Sequence, residues 1–135
     1  MGYSIHIKNA NDGSWVELPQ KHNFAGQTYC VGGTTEAWMS ITYNYWPLFH
    51  KYIDRGDGIR FIYGKSLKEA DAILNNAIEG IKNDSPEVFQ EEPPGAGNPW
   101  ECTPYNVLVA LMGLQGIGEQ AMKAYPDTEM IWDGD

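Results

Sequence analysis

Two residues in the first third of the chain offer acid–base chemistry: His22, in a polar run, and Glu36, just after a Gly32-Gly33 pair. A carboxylate in an apolar pocket, assisted by an imidazole or a hydroxyl, can act as general acid or base. Cys30 with His22, or Ser40 with Glu36, would supply a nucleophile and its activator if folding brought them together. Residues 26–45 also hold four aromatics (Tyr29, Trp38, Tyr43, Tyr45) and five Ser or Thr hydroxyls. Rigid apolar walls with a few placed polar groups are what ligand sites are made of. Residues 32–45 are therefore the candidate recognition region. His22, Tyr29, Thr34, Thr35, Glu36, Trp38, Ser40, Thr42 and Asn44 are its candidate ligand- or partner-binding residues. No catalytic set is complete among them. The expectation is a binding module without catalysis, with a small enzyme using Glu36 as the alternative and an ordinary sheet surface as the bland reading.

Other motifs carry less. Gly64-Lys65-Ser66 invites comparison with a phosphate-binding loop, which needs a second glycine five residues before Gly64 so that backbone amides can curl round the anion. Ile59 stands there, and a strand, a turn and a capped helix explain the same residues. Gly113, Gly116 and Gly118 have the wrong spacing for a dinucleotide fingerprint and read as a helix-packing face. His6, His22 and His50 share no metal-ligand spacing, and Asp127, Glu129, Asp133 and Asp135 lack the pattern of a calcium loop. No cofactor is expected.

At 135 residues, 42% hydrophobic and 20% charged, the chain fits one folded domain, residues 1–135, large enough to bury a core. No apolar run approaches a membrane span, no secretory leader is legible, and two cysteines are too few for a disulfide framework. A cytoplasmic protein with reduced thiols is expected. The net charge of −9 comes wholly from residues 84–135, where ten acidic side chains face one lysine; the first 83 residues balance eight against eight. Without Lys/Arg clusters, direct nucleic-acid binding is not expected. The acidic part could serve as a decoy for a basic protein surface, or simply as a solvated face.

The elements that must position these residues follow from periodicity. Residues 3–8 alternate, with Tyr3, Ile5 and Ile7 on one face of a strand. Asn11-Asp12-Gly13 is a turn, and residues 15–18 return as the second arm of a hairpin, followed by a loop from Pro19. Residues 27–31 are β-favouring. Residues 39–45 alternate again, setting Ser40, Thr42 and Asn44 on one side. A short helix follows near Pro47, and a short strand over 59–63. Ser66 and Glu69 form a capping box ahead of a helix with an apolar stripe from Leu67 to Ile81. Thr103-Pro104 opens a second helix to about Ala124, whose glycines imply close approach of another backbone. The acidic end is a charged tail anchored by Trp132. Strands first and helices later predict an α+β fold, an antiparallel sheet from the N-terminal half packed against two C-terminal helices.

The blocks GQTYCVGGTTEAWMSITYNY, GIRFIYGKS and the closing WDGD resemble a family of small bacterial and bacteriophage proteins. The shared pattern is Gly-Gly-Thr-x-Glu, Ile-Thr-Tyr-Asn-Tyr, Tyr-Gly-Lys before a helix, and Trp-Asp-Gly-Asp, over nearly the whole chain. The resemblance implies a bacterial or host cytoplasm as the setting and carries no activity. An unknown protein or a small polar ligand is the expected partner. The abundance of aromatics adds the expectation of a homodimer through the glycine-faced helix or a sheet edge.

Overall fold

The structure is a computed structural model describing residues 2–24, 33–54, 56–89 and 98–134. Tyr29, Cys30 and the β-favouring residues 27–31 lie outside the described residues.

Strand β1 (Gly2–Asn9) buries Tyr3, Ile5 and Ile7 and turns Ser4, His6 and Lys8 outward, as its alternation requires. The turn after it is closed by local side chains: Asn9 Oδ1 accepts from the Asn11 amide, and Asp12 Oδ1 from the Ser14 amide and hydroxyl. Gly13 takes the positive φ of 74° that the reversal demands. Trp15 and Val16 then return beside Lys8 and Ile7, so the hairpin forms. Its second arm is short, because the chain leaves as β2 (Glu17–His22) to pair with β3 (Thr34–Glu36) in a separate two-stranded sheet. The loop expected from Pro19 is thus a strand. In a two-stranded sheet each strand has a free edge, where a residue lacking an N–H is tolerated.

Strand β4 (Trp38–Thr42) lies antiparallel to β1, with Ser4 opposite Ser40 and His6 opposite Trp38. The expected strand continued to Tyr45. It ends at Thr42, whose hydroxyl accepts from the Asn44 amide at 3.2 Å and caps a 3-10 turn over Tyr43–Tyr45. Helix α1 (Trp46–Tyr52) follows, with Pro47 in its first turn. Residues 59–63 are not a strand either: Gly58–Ile62 form a 3-10 helix, whose i, i+3 spacing buries Ile59 and Ile62 together.

Helix α2 (Leu67–Asp84) starts at the capping box, with Ser66 Oγ accepting from the Glu69 amide and donating to the Glu69 carboxylate. Helix α3 (Pro104–Ala124) starts at Thr103, whose hydroxyl accepts from the Asn106 amide. Its glycines meet side chains from the same chain, where close approach of a backbone was expected. Gly113 faces Met39, Gly116 faces Phe24 and Gly118 faces Trp132.

The acidic end is no tail. Strand β5 (Met130–Gly134) joins the sheet on the other edge of β1, giving the order β4-β1-β5, with Ile7 opposite Trp132 and His6 opposite Asp133. Met130 and Trp132 are buried, and Trp132 anchors this end as expected. The outer side of β5 is held by the Tyr63–Ser66 link, where the Gly64 amide donates to Trp132 O and the Trp132 amide to Lys65 O. The fold is α+β as predicted, with one strand of its main sheet recruited from the far end of the chain. The buried side chains make one cluster between sheet and helices. Among the described residues no helix is long and apolar enough to cross a membrane.

Candidate functional site

The outward face of the β4-β1-β5 sheet collects the most chemistry. Register sets Trp38, His6 and Asp133 side by side across three strands, and Ser40 beside Ser4 in the next row. Neighbouring strands lie about 4.8 Å apart, so the three-strand row spans roughly 10 Å. Trp15, returning beside Lys8, lays its indole on the His6 ring with centroids 4.0 Å apart and planes 14° from parallel. It remains 50% exposed. Trp38 Nε1 donates to Ser4 Oγ at 2.7 Å, which fixes its indole on the sheet. Lys8 Nζ meets Asp133 Oδ2 at 2.9 Å. That hydrogen bond from Lys8 holds the Asp133 carboxyl below its usual range, aided by the Gly134 amide and the charges of Lys8 and His6, while partial burial opposes it. Aromatic planes, hydroxyls and one ion pair are thus presented from three paired strands, a rigid support for recognition.

Of the residues expected in the site, Trp38 and Ser40 lie on this face. Thr42 is buried as the cap of the 3-10 turn, and Asn44 donates its amide to Trp100 O at 2.9 Å, so neither joins them. Beside it the Tyr45 hydroxyl, pushed well above its usual range chiefly by burial, donates to Pro99 O at 2.6 Å. Thr34, Thr35 and Glu36 lie on β3, in the second sheet. The Thr34 hydroxyl accepts from the Glu36 amide, and the Thr35 hydroxyl donates to Glu17 Oε1 at 3.5 Å.

His22 and Glu36 do come together, although not as acid and base. His22 is buried, and its Nδ1 accepts from the Phe24 amide at 3.2 Å while Nε2 donates to the Glu36 carbonyl at 2.5 Å. Both nitrogens are engaged by backbone, which fixes the neutral Nε2–H tautomer. The Glu36 side chain is exposed to solvent and does not sit in an apolar pocket.

Ser4, His6, Lys8, Trp15 and Asp133 were not among the expected site residues. The alternation of residues 3–8 does put Ser4, His6 and Lys8 on one polar face. Which strands flank them, and hence that Trp15 and Asp133 share that face, depends on long-range pairing.

A separate groove of about 500 Å³ runs between the start of α2 and the turn into β5, lined mostly by apolar side chains including Leu67, Met122, Met130 and Ile131. Gly64 and Ser66 line it, so this is where a phosphate-loop reading would have to act. The amide of Glu69 is already taken by Ser66 Oγ, and the Glu69 carboxylate stands at the helix end, opposing an anion. The thiol of Cys102 is free, half-buried and raised in pKa by that burial, which keeps it a poor nucleophile. Among the described residues, no three His, Cys, Asp or Glu side chains are grouped to hold a metal ion.

The fold and this face define a small α+β protein with an aromatic, polar sheet surface. No protein-family model, curated protein or solved structure matches the chain.

Proposed function

We propose that this chain is a non-catalytic binding module, a small cytoplasmic accessory protein of bacterial or phage origin, whose recognition surface is the outward face of the β4-β1-β5 sheet. The expectation for residues 32–45 narrows to its β4 part, Trp38 and Ser40, joined by Ser4, His6, Lys8, Trp15 and Asp133. The observation that carries the reading is Trp15, half-exposed yet held flat on His6. A large aromatic immobilised at a surface has given up its rotamer entropy before any partner arrives, which is how recognition anchors are built. Nothing in the arrangement assembles a nucleophile, a base and an oxyanion site, so catalysis is not part of the proposal.

Self-association, where it occurs, uses the sheet and not α3, whose glycine face is filled by Phe24, Met39 and Trp132 of the same chain. A decoy role is disfavoured by the scatter of the described acidic residues, with Asp84 on α2, Glu119 on α3, Asp133 on β5 and the others between these elements; Asp84 and Asp133 are already paired with lysines.

The test is affinity purification of the wild-type protein beside Trp15→Ala and Ser40→Arg variants, with native mass spectrometry of what stays bound. The wild type should carry a small molecule or protein that both folded variants lose. Retention of every bound species by both variants would overturn the assignment.

A further inference from the structure

Resting on that reading of the sheet face, we infer that its ligand is an uncharged, polyhydroxylated molecule, a neutral oligosaccharide lying along the strands with one sugar ring stacked on Trp15. Three features of the face converge on that chemistry.

The first is the platform. One side of the Trp15 indole is covered by His6 at 4.0 Å, yet half of the residue stays exposed. The exposed half of the indole can accept one flat apolar surface, and a pyranose ring offers such a surface in its axial C–H groups. The second is charge. The ammonium and carboxylate on this face, Lys8 and Asp133, are spent on each other at 2.9 Å. A ligand bearing net charge would have to break that pair or lie unmatched beside it. Phosphate-bearing ligands are further opposed by the chain's net charge of −9. The third is hydrogen bonding. Ser4 and Ser40 face each other one row from the His6–Asp133 pair, on the same outward face, with Ser4 also accepting from the Trp38 indole. Hydroxyls and a hydrogen-bonded ion pair both donate and accept, the match for vicinal diols, which do the same. Because the support is a sheet surface rather than an enclosed cavity, the ligand extends along it as a chain of sugars, held weakly per ring.

The experiment uses the full chain on a printed array of neutral and charged glycans, followed by tryptophan-fluorescence titration with chitohexaose, cellohexaose and maltohexaose. Saturable binding of at least one neutral glycan class is expected, with a change in tryptophan emission. Trp15→Ala should weaken it on the order of tenfold or more, as truncation of a central aromatic anchor does. Thermal melts of each variant establish that it is folded, and Trp15→Phe, which keeps a ring, should restore part of the affinity. Binding only to charged glycans, binding to none, or binding unchanged in Trp15→Ala would each overturn the inference. If no glycan binds while Trp15→Ala and Ser40→Arg still lose a copurifying partner, the ligand class is wrong and the recognition face stands. If those variants lose nothing, the face itself is wrong.

Discussion

His22 and Glu36 meet through an imidazole and a main-chain carbonyl, at 2.5 Å, while the carboxylate between which and His22 chemistry was expected points to solvent. The same ring holds the Phe24 amide, so one neutral histidine ties the end of β2 to β3 and sets Phe24 over Gly116 of α3.

His22→Ala should therefore lower the unfolding free energy by about 1–3 kcal/mol, the usual loss when buried backbone groups lose their partner. Glu36→Ala keeps the carbonyl and should stay within about 0.5 kcal/mol of wild type, as exposed substitutions do. Urea denaturation of both variants decides it. Equal losses would mean that the Glu36 side chain matters to the fold.

Tyr52 on α1 donates to Asp84 at the end of α2 at 2.7 Å. Burial, then the hydrogen bond and negative charge of Asp84, push its hydroxyl from an ordinary value of 10 up to about 12. A pKa raised in the folded state gives stability that is fully present below pH 10 and is lost as pH rises through 12. Spectrophotometric titration should show one tyrosine ionising near 12 that vanishes in Tyr52→Phe. The variant should also lose less thermal stability than wild type between those two values. Because Asp84 is largely exposed, the hydrogen bond itself is worth only about 0.5 kcal/mol.

Two glycines should respond in opposite directions. A Cβ on Gly118 would sit 3.5 Å from the Trp132 ring, an ordinary contact, so Gly118→Ala should stabilise the protein by up to ~1 kcal/mol through helix propensity. A Cβ on Gly134 would sit 2.5 Å from the Ser4 carbonyl and 2.6 Å from the Tyr63 hydroxyl. Gly134→Ala should destabilise by about 1–3 kcal/mol. Thermal melts of the pair suffice, and a stabilised Gly134→Ala would show that β5 does not pair closely with β1.

The Lys8–Asp133 pair can be read by carboxyl NMR. Asp133 should titrate below the ordinary carboxylate value of 3.8 and move upward in Lys8→Met. A depressed pKa gives stability present above the unfolded value and lost as pH falls through the folded one. Both side chains are about a third exposed, so the stability effect is small. An Asp133 shift that ignores Lys8→Met would remove the pair from the face.

What was legible in the sequence was local. The alternation of β1 and of residues 39–41 in β4, the Ser66–Glu69 box and the Thr103-Pro104 cap depend on residues a few positions apart, and each appears as read. What failed depended on distant partners. Strand β5 was hidden because Asp127, Glu129 and Asp133 make its run look like a solvated tail, although Met130 and Trp132 alternate inward. Strand β2 was hidden by Pro19, and the end of β4 by a threonine that caps a turn instead of extending a strand. The candidate face follows the same rule. Ser40 follows from the alternation of its strand and Trp38 from its place as an aromatic beside it, whereas Trp15 and Asp133 join them only once β1 is flanked on both sides.

The place of β5 beside β1 also sets a clock on synthesis. Residues 2–9 are synthesised well before residues 130–134, so the edge of β1 that Trp132 and Asp133 fill stays open while the intervening residues are made. During that interval β1 presents unpaired amides and carbonyls, and the buried side of Ile7 lacks its indole partner. Loop closure over almost the entire chain must precede that pairing, which makes it a slow, late step. The nascent protein is thus open to mispairing until β5 emerges, and that strand acts as the stitch that ends the hazard.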